Sequence, residues 1–118
     1  MDTSVLLEIF TDGPLRRVCE KAIEKQKLAV SSLAIFELYR KLKSKLEEHE
    51  ALSAIAWIQS HSVENVTCEI ALLAADLSIE YKLATVDSIM LAHARLNSAH
   101  LLTLDNDFSG VAGVKILR

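Results

Sequence analysis

The stretch LLTLDNDFSG, residues 101–110, indicates a buried strand that ends at two acidic residues. Three leucines around one threonine predict the strand, and Asp105 and Asp107 follow it one residue apart. Aspartate and asparagine favour turns because their side chains hydrogen-bond to nearby backbone groups. Two carboxylates that repel each other at neutral pH are also typical of one wall of an acidic site. These ten residues alone leave both a turn and a ligand site open.

Composition limits the classes of protein that this chain can form. Its 118 residues are 51% hydrophobic and 25% charged, which predicts one globular domain over residues 1–118. Apolar runs such as IALLAA (70–75) are too short to span a bilayer, and a secretion signal is not evident, so we expect a cytoplasmic protein with no membrane partner.

The net charge of −3 argues against nonspecific coating of nucleic acid, so an RNA partner needs a local basic patch or a metal. Cys19 and Cys68 are expected to be reduced thiols.

Glycine and proline are absent from residues 15–109, which predicts a mainly helical interior. The predicted helices are TSVLLEIF with Thr3 or Ser4 as cap, GPLRRVCEKAIEKQ, LAIFELYRKLKSKLEEHEALSAIAWIQS as one helix or two with a break near His49, CEIALLAADLSIEYKL, and TVDSIMLAHARLNS with Thr85 as cap. The predicted strands are KLAVSS, SVENVT (a strand or a connector), AHLLTL and GVKIL. Short strands that alternate with helices predict a parallel sheet with helices on its faces.

Acidic residues recur where such a sheet places its ligand site, beyond the carboxyl ends of the strands. They are Asp2, Glu37, Asp87, Asp105 and, as a fifth, Asp107. Each one singly has a structural interpretation, as a residue of a frayed terminus, a solvated helix face, a first-turn acid or a turn. Together they predict a site for a hard divalent cation, Mg²⁺ or Mn²⁺, because clustered carboxylates repel one another unless a positive charge lies among them.

Four segments in order, MDTSVLLEIF, AVSSLAIFEL, ATVDSIMLAHA and LLTLDNDF, resemble the PIN domains, in particular the VapC-type ribonuclease toxins of toxin-antitoxin pairs. The resemblance covers essentially the whole chain. It implies a three-layer α/β fold with a parallel sheet of four to five strands and helices on both faces. It also implies a hydrolase, a Mg²⁺- or Mn²⁺-dependent endoribonuclease that cleaves single-stranded or structured RNA.

The resemblance also implies roles for individual residues. The catalytic, metal-binding acids that it implies are Asp2, Glu37, Asp87 and Asp105, and the accessory residues are Thr103, Asp107 and Thr3 or Ser4. The carboxylates would hold the metals, which activate a water and polarise the phosphate. This chain departs from the family pattern because Asp2 directly follows Met1, where members carry an apolar central strand. Either a shortened strand suffices, the true start lies upstream, or the site is compromised.

The sequence also bears on the partners of the protein and leaves two alternative functions open. Arg40, Lys41 and Lys43 form either a solvated helix face or an RNA contact, and the i,i+4 spacing of Lys43 and Glu47 favours the solvated face. The resemblance implies a homodimer and a small VapB-like antitoxin. A catalytically degenerate PIN-like module that binds RNA or protein is the second hypothesis. A phosphoacceptor signalling domain is the third, and the position of Lys115 near the terminus disfavours it.

Overall fold

Six helices and four short strands form the structure, a computed structural model that describes residues 1–24 and 28–118. The helices are α1 (Thr3–Phe10), α2 (Arg16–Ile23), α3 (Ser32–Lys43), α4 (Glu48–Gln59), α5 (Cys68–Tyr81) and α6 (Thr85–Leu96). The strands are β1 (Ala29–Ser31), β2 (Ser62–Glu64), β3 (Leu101–Thr103) and β4 (Val114–Ile116), and a 3-10 turn covers Asn106–Phe108.

The strands form two parallel pairs, β1 with β2 and β3 with β4, which confirms the predicted α/β class with parallel strands. Met1 and Asp2 lie between the pairs. The amino group of Met1 donates to the carbonyl of Ala29 at 3.2 Å, and the amide of Asp2 donates to the carbonyl of Leu102 at 3.0 Å. Two residues are too few to form a strand, so within residues 1–24 and 28–118 the pairs are not joined into one sheet.

The predicted elements are present, but the starts of three helices differ from expectation. Asp2, and not Thr3 or Ser4, occupies the N-cap position of α1. Pro14 precedes α2, which begins at Arg16, and the predicted end of this helix at residues 25 and 26 lies outside the described residues. In α6 Thr85 is already helical, so it is not the cap.

The long amphipathic segment forms two helices, and the chain breaks over residues 44–47 instead of near His49. A reciprocal capping box explains where α4 begins, because the side chain of Glu47 accepts from the backbone of Glu50 and the side chain of Glu50 accepts from the backbone of Glu47. The break also corrects the predicted pair of Lys43 and Glu47. Since α3 ends at Lys43, its ammonium lies instead 3.5 Å from Glu48.

Packing of α3 and α6 against the hydrophobic core determines where Glu37 and Asp87 lie. Ala34, Leu38 and Leu42 of α3 are fully buried, and this spacing of four residues fixes which side of the helix faces inward. In α6 the core residues include Met90 and Leu91, which leaves the first turn of the helix at the edge of the core. The predicted free cysteines are confirmed, with Cys19 buried and Cys68 exposed.

A cavity of about 570 Å³ lies beside the gap between the strand pairs. Its lining includes Met1, Ala29, Leu102 and His93. His93 is 6% exposed, and both of its ring nitrogens lack a hydrogen-bond partner within the described part of the chain. Burial, opposed by the charge of Glu64, lowers the pKa of His93. Burial in the fold therefore favours the neutral form of this imidazole.

Candidate metal centre

Three carboxylates converge where β3 ends and α6 begins. Asp87 lies in the first turn of α6, Asp105 directly precedes the 3-10 turn, and Asp107 lies within it. One carboxylate oxygen from each of the three lies within 4.8 Å of the other two. The structure therefore brings together three of the acids that the sequence singled out, although they come from segments 18 residues or more apart along the chain.

The stretch after β3 is both a turn and a wall of this cluster. The carboxylate of Asp105 accepts a hydrogen bond of 2.8 Å from the amide of Asp107, and its own amide donates to the hydroxyl of Thr103 at 3.0 Å. These bonds fix the direction of the chain as it leaves β3. The sequence left the turn and the acidic cluster as alternatives. They are compatible, because Oδ1 of Asp105 accepts the hydrogen bond of the turn while the carboxyl group still belongs to the cluster.

Asp2 is buried, with 4% of its surface exposed, and two hydroxyls hold its carboxylate. Oδ2 of Asp2 accepts from Oγ of Ser4 at 2.8 Å and from Oγ1 of Thr103 at 2.7 Å. Ser4 also accepts the amide hydrogen of Leu104 at 3.0 Å. These bonds compensate the cost of burying the carboxylate and tie α1 to the strand that delivers Asp105.

Of the two hydroxyl residues that follow Asp2, the structure places Ser4 in this network. The hydroxyl of Thr3 is buried and makes no hydrogen bond with any residue that the structure describes. The difference follows from the start of α1 at Thr3, since residues two apart on the first turn point in different directions.

The electrostatic environment of Asp87 shows that the acids act on one another. Burial is the largest cause that raises the pKa of Asp87 to about 6, followed by the negative charges of Asp2, Asp105, Glu37 and Asp107. All four neighbours are acids that the sequence singled out. Because such charge effects weaken with distance, the shift shows that the five carboxyl groups share one region of the molecule.

Glu37 lies at the border of this region, where it also meets a cation. Its Oε1 lies 3.9 Å from Nζ of Lys41, one helical turn later. Lys43 lies over the ring of Tyr39, with 5.3 Å between Nζ and the ring centroid, and it also pairs with Glu48. Arg40 is exposed and forms no ion pair within residues 1–24 and 28–118. Of the three predicted RNA-contacting cations, Arg40 is thus the one without an ion-pair partner in the part of the chain that the structure describes.

The donor set fits a hard divalent cation. All of the converging groups are carboxylate oxygens, which Mg²⁺ and Mn²⁺ prefer over nitrogen or sulfur ligands. Burial and, after it, repulsion from the neighbouring acids raise the pKa of Asp87, and a cation would relieve that repulsion. A second acidic group, Glu47, His49 and Glu50, is exposed, and the capping box of α4 already accounts for two of its members.

Comparison with known proteins identifies the family. The sequence model of the PIN domain matches residues 1–114. This chain belongs to the PIN-domain family. The match confirms the resemblance that the four segments indicate. A search among curated protein sequences found no significant match.

Solved structures agree with the PIN fold. A chain of a toxin-antitoxin complex from Klebsiella pneumoniae is 30% identical, with a TM-score of 0.83 over 97% of this chain and 92% of that chain. Mycobacterium tuberculosis VapC20, a sarcin-ricin loop cleaving toxin, is 20% identical, with a TM-score of 0.79 over 99% of this chain and 97% of that chain. These neighbours confirm the predicted PIN-like α/β fold.

The site has two features that the sequence analysis did not predict. The pairing of Lys41 with Glu37 was missed, although their i,i+4 spacing on one helix is a signal for it. The contact between Ser4 and Thr103, 3.3 Å between hydroxyl oxygens, joins residues 99 apart and has no local signal. Within the described residues, the PIN domain has no helix long and apolar enough to cross a membrane.

Proposed function

We propose that this PIN domain, residues 1–118, is a metal-dependent endoribonuclease and the toxin of a VapBC-type toxin-antitoxin pair. The observation that carries the proposal is the convergence of Asp87, Asp105 and Asp107 within 4.8 Å, with the pKa of Asp87 raised to about 6. A strongly perturbed carboxyl inside an acidic cluster is typical of a functional site. Membership of the PIN-domain family and the likeness to a toxin-antitoxin complex support the same function.

In the proposed site Asp87 and Asp105 hold Mg²⁺ or Mn²⁺, together with Asp2 and Glu37. Such an ion supplies positive charge that polarises a phosphodiester and lowers the pKa of water. Asp107 and Thr103 are accessory residues, and the accessory hydroxyl after Asp2 is assigned to Ser4 because Ser4 contacts its carboxylate. The oxygen ligands do not distinguish between Mg²⁺ and Mn²⁺, so both are candidate cofactors.

Side chains of the site also accept the proton of the attacking water and orient the acidic residues. In the metal-free chain, where its pKa is about 6, Asp87 is largely ionised at neutral pH and can bind a cation, and one of the carboxylates around the metal would accept the proton of an attacking water. Thr103 donates to Asp2 and accepts from the amide of Asp105, so one hydroxyl fixes two of the acids. Precise orientation of this kind supports an in-line attack on a phosphate.

The family indicates RNA as the substrate, and the cations of α3 provide the local positive charge that RNA binding requires. The chain carries a net charge of −3, so an RNA needs a local positive region to approach the acids. Arg40, Lys41 and Lys43 lie in the last turn of α3, within two turns of Glu37. We assign these cations to the RNA backbone. The neighbour VapC20 is described as a sarcin-ricin loop cleaving toxin, which is an RNA-directed activity.

We further propose a homodimer, an antitoxin that covers the acidic site, and a location in the cytoplasm. The support for an antitoxin is the Klebsiella pneumoniae neighbour, which was solved as a toxin-antitoxin complex. An antitoxin that places a basic side chain among the carboxylates would offset the same repulsion as a metal. We therefore expect antitoxin binding and metal binding to compete.

The test is cleavage of a mixed tRNA and mRNA pool by the purified chain with Mn²⁺, with Mg²⁺ and with a chelator. We expect metal-dependent cleavage that Asp87→Asn and Asp105→Asn each reduce by about 100-fold or more, as for removal of a central electrostatic group. Asp76→Asn is the matched control, because Asp76 is exposed on α5, outside the cluster. Folded protein that binds RNA and cleaves nothing would establish the degenerate binding module instead.

A further inference from the structure

A groove of about 480 Å³ lies at the border of the acidic region, where Glu37 is part of its lining. One wall is the side of α3 that carries Leu33, Phe36, Glu37 and Arg40, and Val86 of α6 lines the groove opposite. Glu37 acts on the pKa of Asp87, and Val86 is the residue before Asp87. The groove is therefore lined by Glu37, one of the acids that we propose to hold the metal, and by the residue that precedes a second one.

Phe36 is an exposed aromatic side chain in this groove, with 63% of its surface accessible. Phe10 and Trp57 pack edge to face, and Trp57 also contacts His61, whereas the ring of Phe36 has no aromatic or cationic partner in the described part of the chain. Leaving an aromatic ring in water forgoes the free energy that its burial would give. An exposed, unstacked ring beside an acidic site is available to stack on a ligand with an apolar face.

Arg40 lies one helical turn after Phe36 on the same side of α3, and its guanidinium has no ion-pair partner among the described residues. Side chains four residues apart on a helix have their Cβ atoms about 5 to 6 Å apart. A flat apolar ring and a free planar cation are therefore presented together. This pair matches the base and the phosphate of one nucleotide.

We propose that Phe36 and Arg40 select an unpaired nucleotide next to the cleavage position, with its base stacked on Phe36 and its phosphate bound by Arg40. This inference rests on the proposed nuclease function. It adds a substrate requirement, because a base held in a duplex cannot expose its face to Phe36. Phe36 and Arg40 are thus specificity-determining residues, and the neighbouring phosphate would lie at the cation that Glu37 and Asp87 are proposed to hold.

The charges of the groove favour RNA over an apolar peptide as its occupant. Arg40 and Lys41 line the same groove as Phe36, and Lys41 is only half-buried. Enclosing Arg40 under an apolar peptide would remove its guanidinium from water without an ion-pair partner among the described residues. RNA phosphates provide that partner, and single-stranded RNA also provides the stacking face.

The experiment measures binding in the Asp87→Asn background, so that cleavage does not consume the RNA. The probe is a short single-stranded RNA that carries 2-aminopurine, compared with the same RNA annealed to its complement. We expect the single strand to bind and its fluorescence to be quenched, and the duplex to bind at least about 10-fold more weakly. Phe36→Ala should weaken single-strand binding by about 5- to 100-fold, which corresponds to the loss of one stacked base.

The salt dependence of binding separates the two roles. Arg40→Gln should reduce the slope of log K against log salt by about 0.7, the value for one phosphate contact with a single strand. Phe36→Ala should leave that slope unchanged, and Phe36→Trp should retain the quenching. Matched controls are Leu72→Ala, which removes another exposed apolar side chain, and Arg17→Gln, which removes another exposed cation, since neither lines the groove.

The outcomes distinguish this inference from the proposed function. An active nuclease whose RNA affinity, quenching and strand preference are unchanged by Phe36→Ala would overturn the inference and leave the nuclease in place. An inactive protein that shows the quenching and the Phe36 dependence would overturn the nuclease and keep the nucleotide site. Loss of self-association by Phe36→Ala with no effect on RNA would assign the groove to a protein contact and overturn the inference.

Discussion

The carboxylate of Asp2 accepts a hydrogen bond of 2.7 Å from the hydroxyl of Thr103, which lies 101 residues later in the chain. The same hydroxyl accepts the amide hydrogen of Asp105 at 3.0 Å. Thr103 thereby connects the amino-terminal acid with the acids of the cluster after β3. Because both partners of Thr103 are polar and at least partly buried, the position of each acid depends on this one side chain.

We predict that Thr103→Val lowers both stability and activity. Valine keeps the volume of threonine but leaves the buried carboxylate of Asp2 without one of its donors, which should reduce the free energy of unfolding by about 1 to 3 kcal/mol. Displacement of Asp2 and Asp105 should reduce cleavage by about 10- to 100-fold, as for residues that orient metal ligands. Urea denaturation and the RNA cleavage assay measure the two effects.

The control for this substitution is Thr11→Val, which removes a hydroxyl that donates to the carbonyl of Leu7 at the end of α1. It should cost stability without a comparable loss of cleavage. If Thr103→Val and Thr11→Val reduced cleavage equally when compared at equal folded fraction, the orienting role of Thr103 would be wrong.

We predict that Asp87→Asn stabilises the metal-free protein at neutral pH. The raised pKa of about 6 means that folded Asp87 keeps a proton which the unfolded chain releases near pH 4, so stability falls as the pH rises through this interval. Asparagine removes the charge, and the gain at pH 7.5 should be on the order of 1 kcal/mol after allowance for solvent screening. Below about pH 4 the gain should disappear, because Asp87 is then neutral in both states.

Thermal denaturation with and without Mn²⁺ measures this gain and also tests the metal site. Mn²⁺ should raise the Tm of the wild-type chain and raise that of Asp87→Asn much less, since a ligand that binds only the folded state stabilises it. Equal Mn²⁺ shifts in both proteins would place the metal away from Asp87.

Sequence patterns predicted most of the elements because their signals are local. The Ser31 hydroxyl caps α3, where the amide of Leu33 donates to it at 3.2 Å, and serine is a common residue at helix starts. The break between α3 and α4 was misplaced, since the capping box of Glu47 and Glu50 lacks the serine or threonine that usually marks a helix start. Local pattern alone therefore gave the type of each element more reliably than its boundary.

The candidate site was only partly predictable for a physical reason. Parallel sheets bind ligands beyond the carboxyl ends of their strands, and this rule places Asp105 and Asp107 at that edge. Asp87 is placed near the same edge by the first turn of α6. Whether Asp2 joins the three-residue cluster depends on hydrogen bonds to Ser4 and Thr103, which arise from tertiary packing. No spacing along the chain encodes a contact of this kind.

We predict that metal binding releases protons at acidic pH. A carboxyl with a pKa of about 6 is largely protonated at pH 5.5 and must lose its proton before it can bind a cation. Titration calorimetry with Mn²⁺ in two buffers of different ionisation enthalpy should show release of about one proton at pH 5.5 or below and almost none at pH 7.5. A proton release that does not vary between these pH values would contradict the assignment of Asp87 as a ligand.

The last prediction concerns His93, which lines the cavity beside the strand pairs. Burial, the largest cause, and the nearby amino group of Met1 lower its pKa, so the unfolded chain binds a proton that the folded chain excludes. The unfolded state therefore binds more protons as the pH falls below about 6.5, and stability should decrease over this range.

His93→Leu removes both the titrating ring and two buried nitrogens without partners in the described residues. It should raise the free energy of unfolding by about 1 kcal/mol at pH 7.5 and by more at pH 5.5.

Urea denaturation at the two pH values measures this difference, with His100→Leu as the matched control. His100 lines the same cavity but is exposed, so this variant controls for the loss of an imidazole from the cavity wall. A wild-type chain that is as stable at pH 5.5 as at pH 7.5 would not by itself decide the matter, because Asp87 opposes His93 in this range. The decisive comparison is therefore His93→Leu against wild type in the Asp87→Asn background, where only His93 of the pair still titrates. An equal gain at both pH values in that background would show that His93 binds its proton as readily in the folded chain as in the unfolded chain, and the prediction would be wrong.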